Sequence, residues 1–316
     1  NNSEQANAIR ETADGGYVVT GSAQSQIMLA KFDKNGDTVK LGDLDFSFTV
    51  PDSIGDICLT NAREIAETVV STVMTPIRTG TIGLDLFISA LKGDPVNDFC
   101  DTGGYQWNPA PTSPVSLINP YVLTFASCGS NDLESTYTGG FDLTIQSLSG
   151  DLSASAYDVT AEIVQIDVTV SDDVGDSDVS GGLSFRRVLQ SGDFLMYAAS
   201  TGSALTIVED GSSKSISPFD ISSTQSEITG GYTIGQKDEA MTVQPDYLSG
   251  PLSIIFQQAI SGFNDAEPDS GALLIEAQDG SRLTMTIQNG DVDLAVDTNG
   301  DGIEDGTISV SWADLS

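Results

Sequence analysis

The sequence contains no histidine and few basic residues, with 12 Lys and Arg against 46 Asp and Glu. Without histidine, Ser-His-Asp and Cys-His catalytic arrangements and His-ligated zinc sites are excluded. The net charge of −34 repels nucleic acids and anionic membrane surfaces, so we expect neither as a partner. No apolar run approaches the ~18 residues of a membrane-spanning helix. These absences predict an acidic globular protein that favours cations.

Motifs of common enzyme classes are also missing from the sequence. There is no P-loop, no G-x-S-x-G elbow and no Cys-Cys metal knuckle. A glycosidase needs only two carboxylates. With 46 candidates, however, solvated sheet faces explain the acidic residues better than any catalytic pair does. We therefore predict that the protein is not an enzyme.

The cysteines are an odd set of three, Cys58, Cys100 and Cys128. Cys100 and Cys128 each follow an apolar stretch and precede turn residues, which favours a disulfide between them and an oxidising compartment. Cys58 is then left as a small buried apolar side chain. The alternative is three buried thiols in a cytosolic protein. The first residues carry no signal peptide, and we interpret them as a mature or trimmed end.

Residues 297–305 (DTNGDGIED) follow the first half of an EF-hand calcium loop. The expected ligands are the side chains of Asp297, Asn299, Asp301 and Asp305 and the carbonyl of Ile303. The loop resembles those of thrombospondin type 3 and dockerin-like modules, which implies a Ca²⁺ ion that pins a hairpin. Position 12 is Ile308, so the bidentate Glu of an EF-hand is missing. The alternative is a tight Asn299-Gly300 hairpin turn whose acidic residues face water.

Most of the chain shows the period-2 alternation of half-buried strands, as at 141–145, 166–170, 283–287 and 292–296. Ser/Asn-Gly-Asp corners at 149–152, 191–194 and 289–292 indicate hairpin turns. Gly-Gly pairs at 138–141, 180–183 and 229–232 are interpreted as strand openings. We predict an all-β fold, a long antiparallel meander of about a dozen strands curled into a sandwich or half-barrel.

One amphipathic helix is predicted at about 60–75, packed on the sheet. Thr60 or Asn61 is the expected N-cap with Glu64 at the capping-box position, and Pro76 is expected to end the helix. Strands are predicted at 44–50, 84–91 and 121–125.

Residues 1–40 form a distinct block, predicted as an N-terminal three-stranded β unit ahead of a main β domain at 41–316. The block carries D-G-G-Y-V-V-T-G-S at 14–22 and K-F-D-K-N-G at 31–36. It resembles one repeat of the delta-60 β-propeller family. Because a single blade cannot close a ring, we expect that either further blades preceded it or its strands add to another sheet, in this molecule or a neighbour.

Residues 41–316 resemble a group of uncharacterised exported proteins and lipoproteins of Gram-negative bacteria. The resemblance rests on L-T-N-A-R-E-I-A at 59–66, C-D-T-G-G at 100–104 with L-T-F-A-S-C at 123–128, and the C-terminal strands. It implies export and supports the predicted disulfide.

We expect a non-enzymatic extracellular or cell-surface structural protein that self-associates into a filament through residues 1–40 and is stabilised by calcium. The first alternative is a periplasmic half-barrel, lidded by the helix, that binds a lipid or other hydrophobic ligand. The weaker alternative is a carbohydrate-binding module that uses Trp107 or Trp312 to stack a glycan. Burial of Trp107 against the disulfide and of Trp312 in the core are the structural alternatives.

Overall fold

The computed structural model describes residues 4–11, 17–23, 26–32, 38–39, 56–93, 99–117, 119–130, 135–171, 176–209, 211–237, 240–263 and 266–315. Its contacts divide the chain into two compact units, Asn1–Ser53 and Ile54–Ser316. The strand predicted at 44–50 lies outside the described residues.

The first unit is a four-stranded antiparallel sheet rather than the predicted three-stranded one. Its strands are β1 (Glu4–Glu11), β2 (Tyr17–Ala23), β3 (Gln26–Phe32) and β4 (Thr38–Val39). They lie in chain order, each paired with the next. The short β4 covers only the last two residues of β3.

The second unit contains one α-helix, α1 (Ala62–Lys92), and a 16-stranded antiparallel sheet among its described residues. The strands are β5 (Thr102–Asn108), β6 (Tyr121–Ser130), β7 (Ser135–Gly150), β8 (Ala156–Ser171), β9 (Asp176–Gln190), β10 (Asp193–Ser200), β11 (Leu205–Glu209), β12 (Ser212–Ile216), β13 (Asp220–Ser226), β14 (Gly231–Gln236), β15 (Met241–Pro245), β16 (Leu252–Phe263), β17 (Ser270–Ala277), β18 (Arg282–Gln288), β19 (Asp291–Asp297) and β20 (Gly306–Ser311).

From β5 to β10 and from β16 to β20, these strands form a meander in which neighbours in the chain are neighbours in the sheet. In the middle, three pairs of short strands lie end to end. β9 pairs with β10 through residues 183–190 and with β11 through residues 177–180. β16 pairs in the same way with β15 through 252–254 and with β14 through 260–263. The predicted mostly antiparallel β meander is thus confirmed.

A line of irregular residues crosses the sheet from β6 to β9, and we call it the bulge line. Ser127, Gly139, Gln165 and Gly181 have positive φ angles of 53°, 85°, 52° and 120°. Register shifts fall beside them in β6–β7, β7–β8 and β8–β9. Each bulge bends its strand and increases its twist, so aligned bulges bend the sheet along one line.

The bulge line corrects the interpretation of two Gly-Gly pairs as strand openings. Gly139 lies inside β7 and Gly181 inside β9. A Cβ at Gly139 would lie 1.9 Å from the carbonyl oxygen of Asp167 on β8, so the neighbouring backbone requires glycine there. The third pair, at 230–231, does open β14. The Gly-Asp corners are hairpin turns as predicted, with φ of 87° at Gly150 and 85° at Gly192.

The helix is twice as long as predicted, because Pro76 lies inside it and does not end it. Proline removes one backbone hydrogen bond, at a cost of roughly 3 kcal/mol, which burial of this part of the helix offsets. The predicted strand at 84–91 is the last part of α1, since Leu84, Phe87 and Ile88 are buried at helical spacing. Asn61 is the N-cap position, but its side chain bonds to the backbone of Asp56 and Cys58 instead.

Both halves of the sheet contact this helix or the turn that precedes it. Just before α1, the Ile57 N–H donates to the Ser281 hydroxyl (3.0 Å) between β17 and β18. Near its C-terminal end, Phe87 packs edge-on against Trp107 of β5 and Tyr121 of β6, with ring centroids 5.6 and 4.8 Å apart. Within α1 only Arg63, Glu64, Arg78, Asp85 and Lys92 are exposed, so the helix is the centre of the core.

Candidate functional site

The predicted calcium loop connects β19 to β20 and folds over the carboxylate of Asp297. This residue ends β19 and is 6% exposed. Its Oδ1 accepts from the backbone N–H of Gly300 (2.8 Å) and Asp301 (3.2 Å), and its Oδ2 from that of Gly302 (2.8 Å). A carboxylate that accepts several backbone N–H groups fixes the loop around itself.

The other predicted ligands lie in the same hydrogen-bonded loop. Asn299 Oδ1 accepts from the Asp301 N–H (3.0 Å), and Asp301 Oδ1 from the Ile303 N–H (2.8 Å). Asp305 Oδ2 accepts from the Thr298 N–H (2.8 Å). Across the described residues, no three His, Cys, Asp or Glu side chains are grouped as a metal site would require. The four predicted side-chain ligands therefore lie in one loop and each accepts a hydrogen bond from a backbone N–H, but their carboxylates are not gathered around one point.

The disulfide between Cys100 and Cys128 is present, as predicted. It joins the segment before β5 to the C-terminal end of β6, and both residues are buried with Cα atoms 5.0 Å apart. The N–H of Asp101 donates to the Gly129 carbonyl at 2.7 Å beside the bridge. Cys58 is a free, half-buried cysteine in the turn before α1, with its Sγ 3.1 Å from the Thr60 hydroxyl.

Neither tryptophan is placed as an exposed platform for a sugar. Trp107 is 6% exposed, and its ring meets those of Phe87 and Phe141 edge-on. Its Nε1 has no hydrogen-bond partner within the described part of the chain. Trp312 lies in a single turn of 3-10 helix after β20 (Trp312–Asp314), half-buried against the core. Stacking of a glycan requires an exposed ring face, which Trp107 lacks.

Two basic residues on the inner side of the sheet, Arg187 and Lys214, bind side chains of α1. Neither residue belongs to a motif that the sequence pattern identifies. Arg187 of β9 is 4% exposed, and its Nη1 donates to Asp85 Oδ1 of α1 at 2.5 Å. Its guanidinium lies over the rings of Tyr157 (5.6 Å) and Phe194 (5.4 Å). Burial raises the pKa of Tyr157, and the charge of Arg187 opposes that shift.

Lys214 of β12 makes the second tie. Its Nζ donates to Glu209 Oε2 (2.6 Å) and to the hydroxyl of Ser71 in α1 (2.8 Å). In the alternation of β9 and β12, Arg187 and Lys214 fall on the side that faces the core. Charged residues usually lie on the exposed side of a strand, so their residue type predicts the wrong side here. The signal that could have identified them is their spacing. Arg187 is two residues from the buried Phe185 and Lys214 is two residues from the buried Ile216, so each pair lies on the same face of its strand.

No helix in the described part of the chain combines the length and apolarity that a membrane span requires. Comparison with protein-family models, curated protein sequences and solved structures finds no match to this chain.

Proposed function

We propose that this is a non-enzymatic structural protein, exported to the cell surface or the extracellular space, that self-assembles through residues 1–40. The observation that carries the proposal is the separate N-terminal sheet. It is a single layer of four strands, and a sheet normally buries its apolar face against a second layer. A neighbouring copy would supply that layer.

The edges of the N-terminal sheet support assembly by strand addition. Among the described strands, β1 pairs only with β2, and β4 covers β3 only at Lys31 and Phe32. Unpaired strand edges present N–H and C=O groups to another chain, which can extend the sheet. The resemblance of residues 1–40 to a propeller blade agrees with this, because blades are stable when they pack against neighbouring blades.

The distribution of charge also favours the N-terminal sheet as the contact. Residues 1–40 hold five acidic and four basic residues, a net charge of −1, so the remaining residues carry −33 of the total −34. Two copies of the second unit repel each other, whereas the N-terminal sheet approaches a second unit with little repulsion.

The packing of α1 argues against the alternative of a lipid carrier. We propose that the sheet curves around α1 as a half-barrel, with the bulge line as one bend. The position where a lipid would lie is then filled by helix side chains, among them Leu84 and Phe87, which are fully buried. Gly80 of α1 lies directly on the Phe185 ring of β9, which leaves no space between helix and sheet there.

The proposed location and cofactor follow from three features of the second unit. The disulfide fits an oxidising compartment. The acidic surface fits surroundings with enough cations to screen it. We propose that Ca²⁺ binds residues 297–305 and stiffens the β19–β20 hairpin, with Asp297, Asn299, Asp301 and Asp305 and the carbonyl of Ile303 as ligands.

Deletion of residues 1–40 tests the proposal. The native chain and the deletion variant are compared by sedimentation velocity and electron microscopy, with and without a calcium chelator. High-mass particles that the deletion abolishes, while a folded monomer remains, support self-assembly. A native monomer that copurifies with lipid, detected by mass spectrometry of an organic extract, would establish the carrier instead.

A further inference from the structure

The last strand, β20, forms one edge of the large sheet. Within the described part of the chain it pairs with β19 alone, through six consecutive residues without a bulge. It contains no charged residue and no proline. Natural proteins normally protect an edge strand with charges, proline or a bulge, because its free N–H and C=O groups can pair with another chain. β20 has none of these protections.

The apolar core is open along this edge. Ile308 pairs with Leu294 and Val310 pairs with Val292, so the side chains of Ile308 and Val310 lie on the core face of the sheet. Leu294 and Val292 on β19 are completely buried, whereas Ile308 and Val310 are only half-buried. The apolar layer therefore extends one strand further than its cover.

Two more apolar side chains extend this open strip past both ends of β20. Leu59 is 40% exposed and lies against Gly306, where an added Cβ would be 2.8 Å from Leu59 Cδ1. Trp312 directly follows β20 and is half-buried. A further strand beside β20 would cover the strip, because it would place every second side chain on the same face. The edge therefore offers both backbone groups and an apolar strip to an extended segment.

The charge around β20 indicates which kind of segment fits. Residues 291–316 contain seven Asp or Glu and no Lys or Arg. Asp291 and Asp293 are exposed on the outer face of β19, one strand away. Antiparallel pairing of β20 with the same strand of a second copy would bring Asp305 of each copy close to Asp314 of the other, so a second copy is a poor partner. A basic segment is the complementary one.

We infer that β20 receives an extended segment of a cationic partner protein, which adds to the sheet as a further strand. The residues of this segment alternate between apolar side chains that face the core and Lys or Arg side chains on the outer face. Main-chain hydrogen bonds and the apolar strip supply the affinity, and the surrounding carboxylates select a basic partner. The inference does not depend on self-assembly through residues 1–40.

The first test titrates the full chain with the synthetic peptide K-V-K-I-K-V-K, blocked at both ends, in a calorimeter. The control peptides are E-V-E-I-E-V-E, which reverses the charge, and K-K-V-I-V-K-K, which keeps the composition but loses the alternation. The alternating basic peptide should bind about tenfold more tightly than either control, or better. A native chain that does not bind it overturns the inference and leaves the edge to another segment of the chain or to a second copy.

Two lysine variants separate strand addition from simple charge attraction. Ile308→Lys places a charge in the apolar strip, whereas Thr307→Lys makes the same change of charge on the exposed side of β20. A charge that points inward blocks the addition of a strand. Ile308→Lys should therefore weaken peptide binding about tenfold or more, and Thr307→Lys about threefold or less. An equal loss in both variants would overturn strand addition.

Two modified peptides test the backbone bonds without any change to the protein. One carries N-methyl groups on its Lys residues, and the other carries them on its Val and Ile residues. Successive residues of a strand direct their N–H groups to opposite edges, so only one of the two sets faces β20. One modified peptide should lose affinity about tenfold while the other binds as before. Equal affinities for the two would overturn the inference.

Discussion

Replacing Gly80 by alanine tests whether α1 is a packed core helix or a loosely seated lid. In an exposed helix interior, Gly→Ala stabilises by about 1 kcal/mol. Here the new Cβ would lie 2.1 Å from Cδ2 of Phe185, whose ring is completely buried. The ring must move by more than ~1 Å in a closed core, and such overpacking costs about 1–3 kcal/mol. We therefore expect a net loss of about 1–2 kcal/mol in the free energy of unfolding.

The measurement is urea unfolding followed by tryptophan fluorescence. Both tryptophans of the chain, Trp107 and Trp312, lie in the second unit, so the signal reports on that unit alone. Gly83→Ala is the matched control in the same helix, because its Cβ would lie 3.1 Å from both Ile163 Cδ1 and Phe141 Cζ, contacts that shifts of a few tenths of an ångström relieve. It should change stability by less than about 0.5 kcal/mol. Stabilisation by Gly80→Ala would refute the packed-core reasoning.

Three further predictions concern the disulfide, acid stability and calcium. Reduction of the disulfide, which spans 28 residues, should cost about 3.5 kcal/mol in urea unfolding, and Cys58→Ser should not alter this loss. Burial acts to raise the pKa of Asp279, but hydrogen bonds from Ser281 and from the Asp56 N–H outweigh burial and lower this pKa. The ionised carboxylate therefore contributes stability above about pH 3.9, and this contribution is lost as the pH falls further. Asp279→Asn should consequently make the free energy of unfolding less dependent on pH in the acid range. Calcium should raise the midpoint of thermal unfolding and a chelator should lower it. Asp301→Ala should abolish this difference, and Asp291→Ala should preserve it. Equal midpoints with calcium and with chelator in the native chain would argue against a bound ion.

Period-2 alternation and glycine corners were enough to predict the antiparallel meander, because they depend on local chemistry. The helix was underestimated for a non-local reason. Pro76 is a local stop signal, and only burial of α1 on almost every side overrides it. Residues 84–91 were ambiguous in the same way, since a short apolar run fits a strand and a buried helix equally well.

The site was predictable to the extent that its residues are adjacent in sequence. Asp297 and its loop partners fall within nine residues, so their hydrogen-bonded turn follows from the sequence pattern. The contacts that tie the sheet to α1, such as the bond between Arg187 and Asp85, join residues 102 positions apart in the chain. Their positions depend on register and on the bulge line, which no single stretch of sequence encodes.

The order of elements in the second unit has a consequence for biosynthesis. The helix emerges first from the ribosome or export channel, yet its N-terminal end is covered by some of the last residues made, as Arg63 bonds to the Asp314 carbonyl at 3.2 Å. Hairpins can form one after another as the chain appears, while the N-terminal end of the helix lacks these contacts until synthesis ends. A nascent chain that lacks its last strands therefore exposes apolar residues at that end of the helix, which makes it prone to aggregation until it is complete.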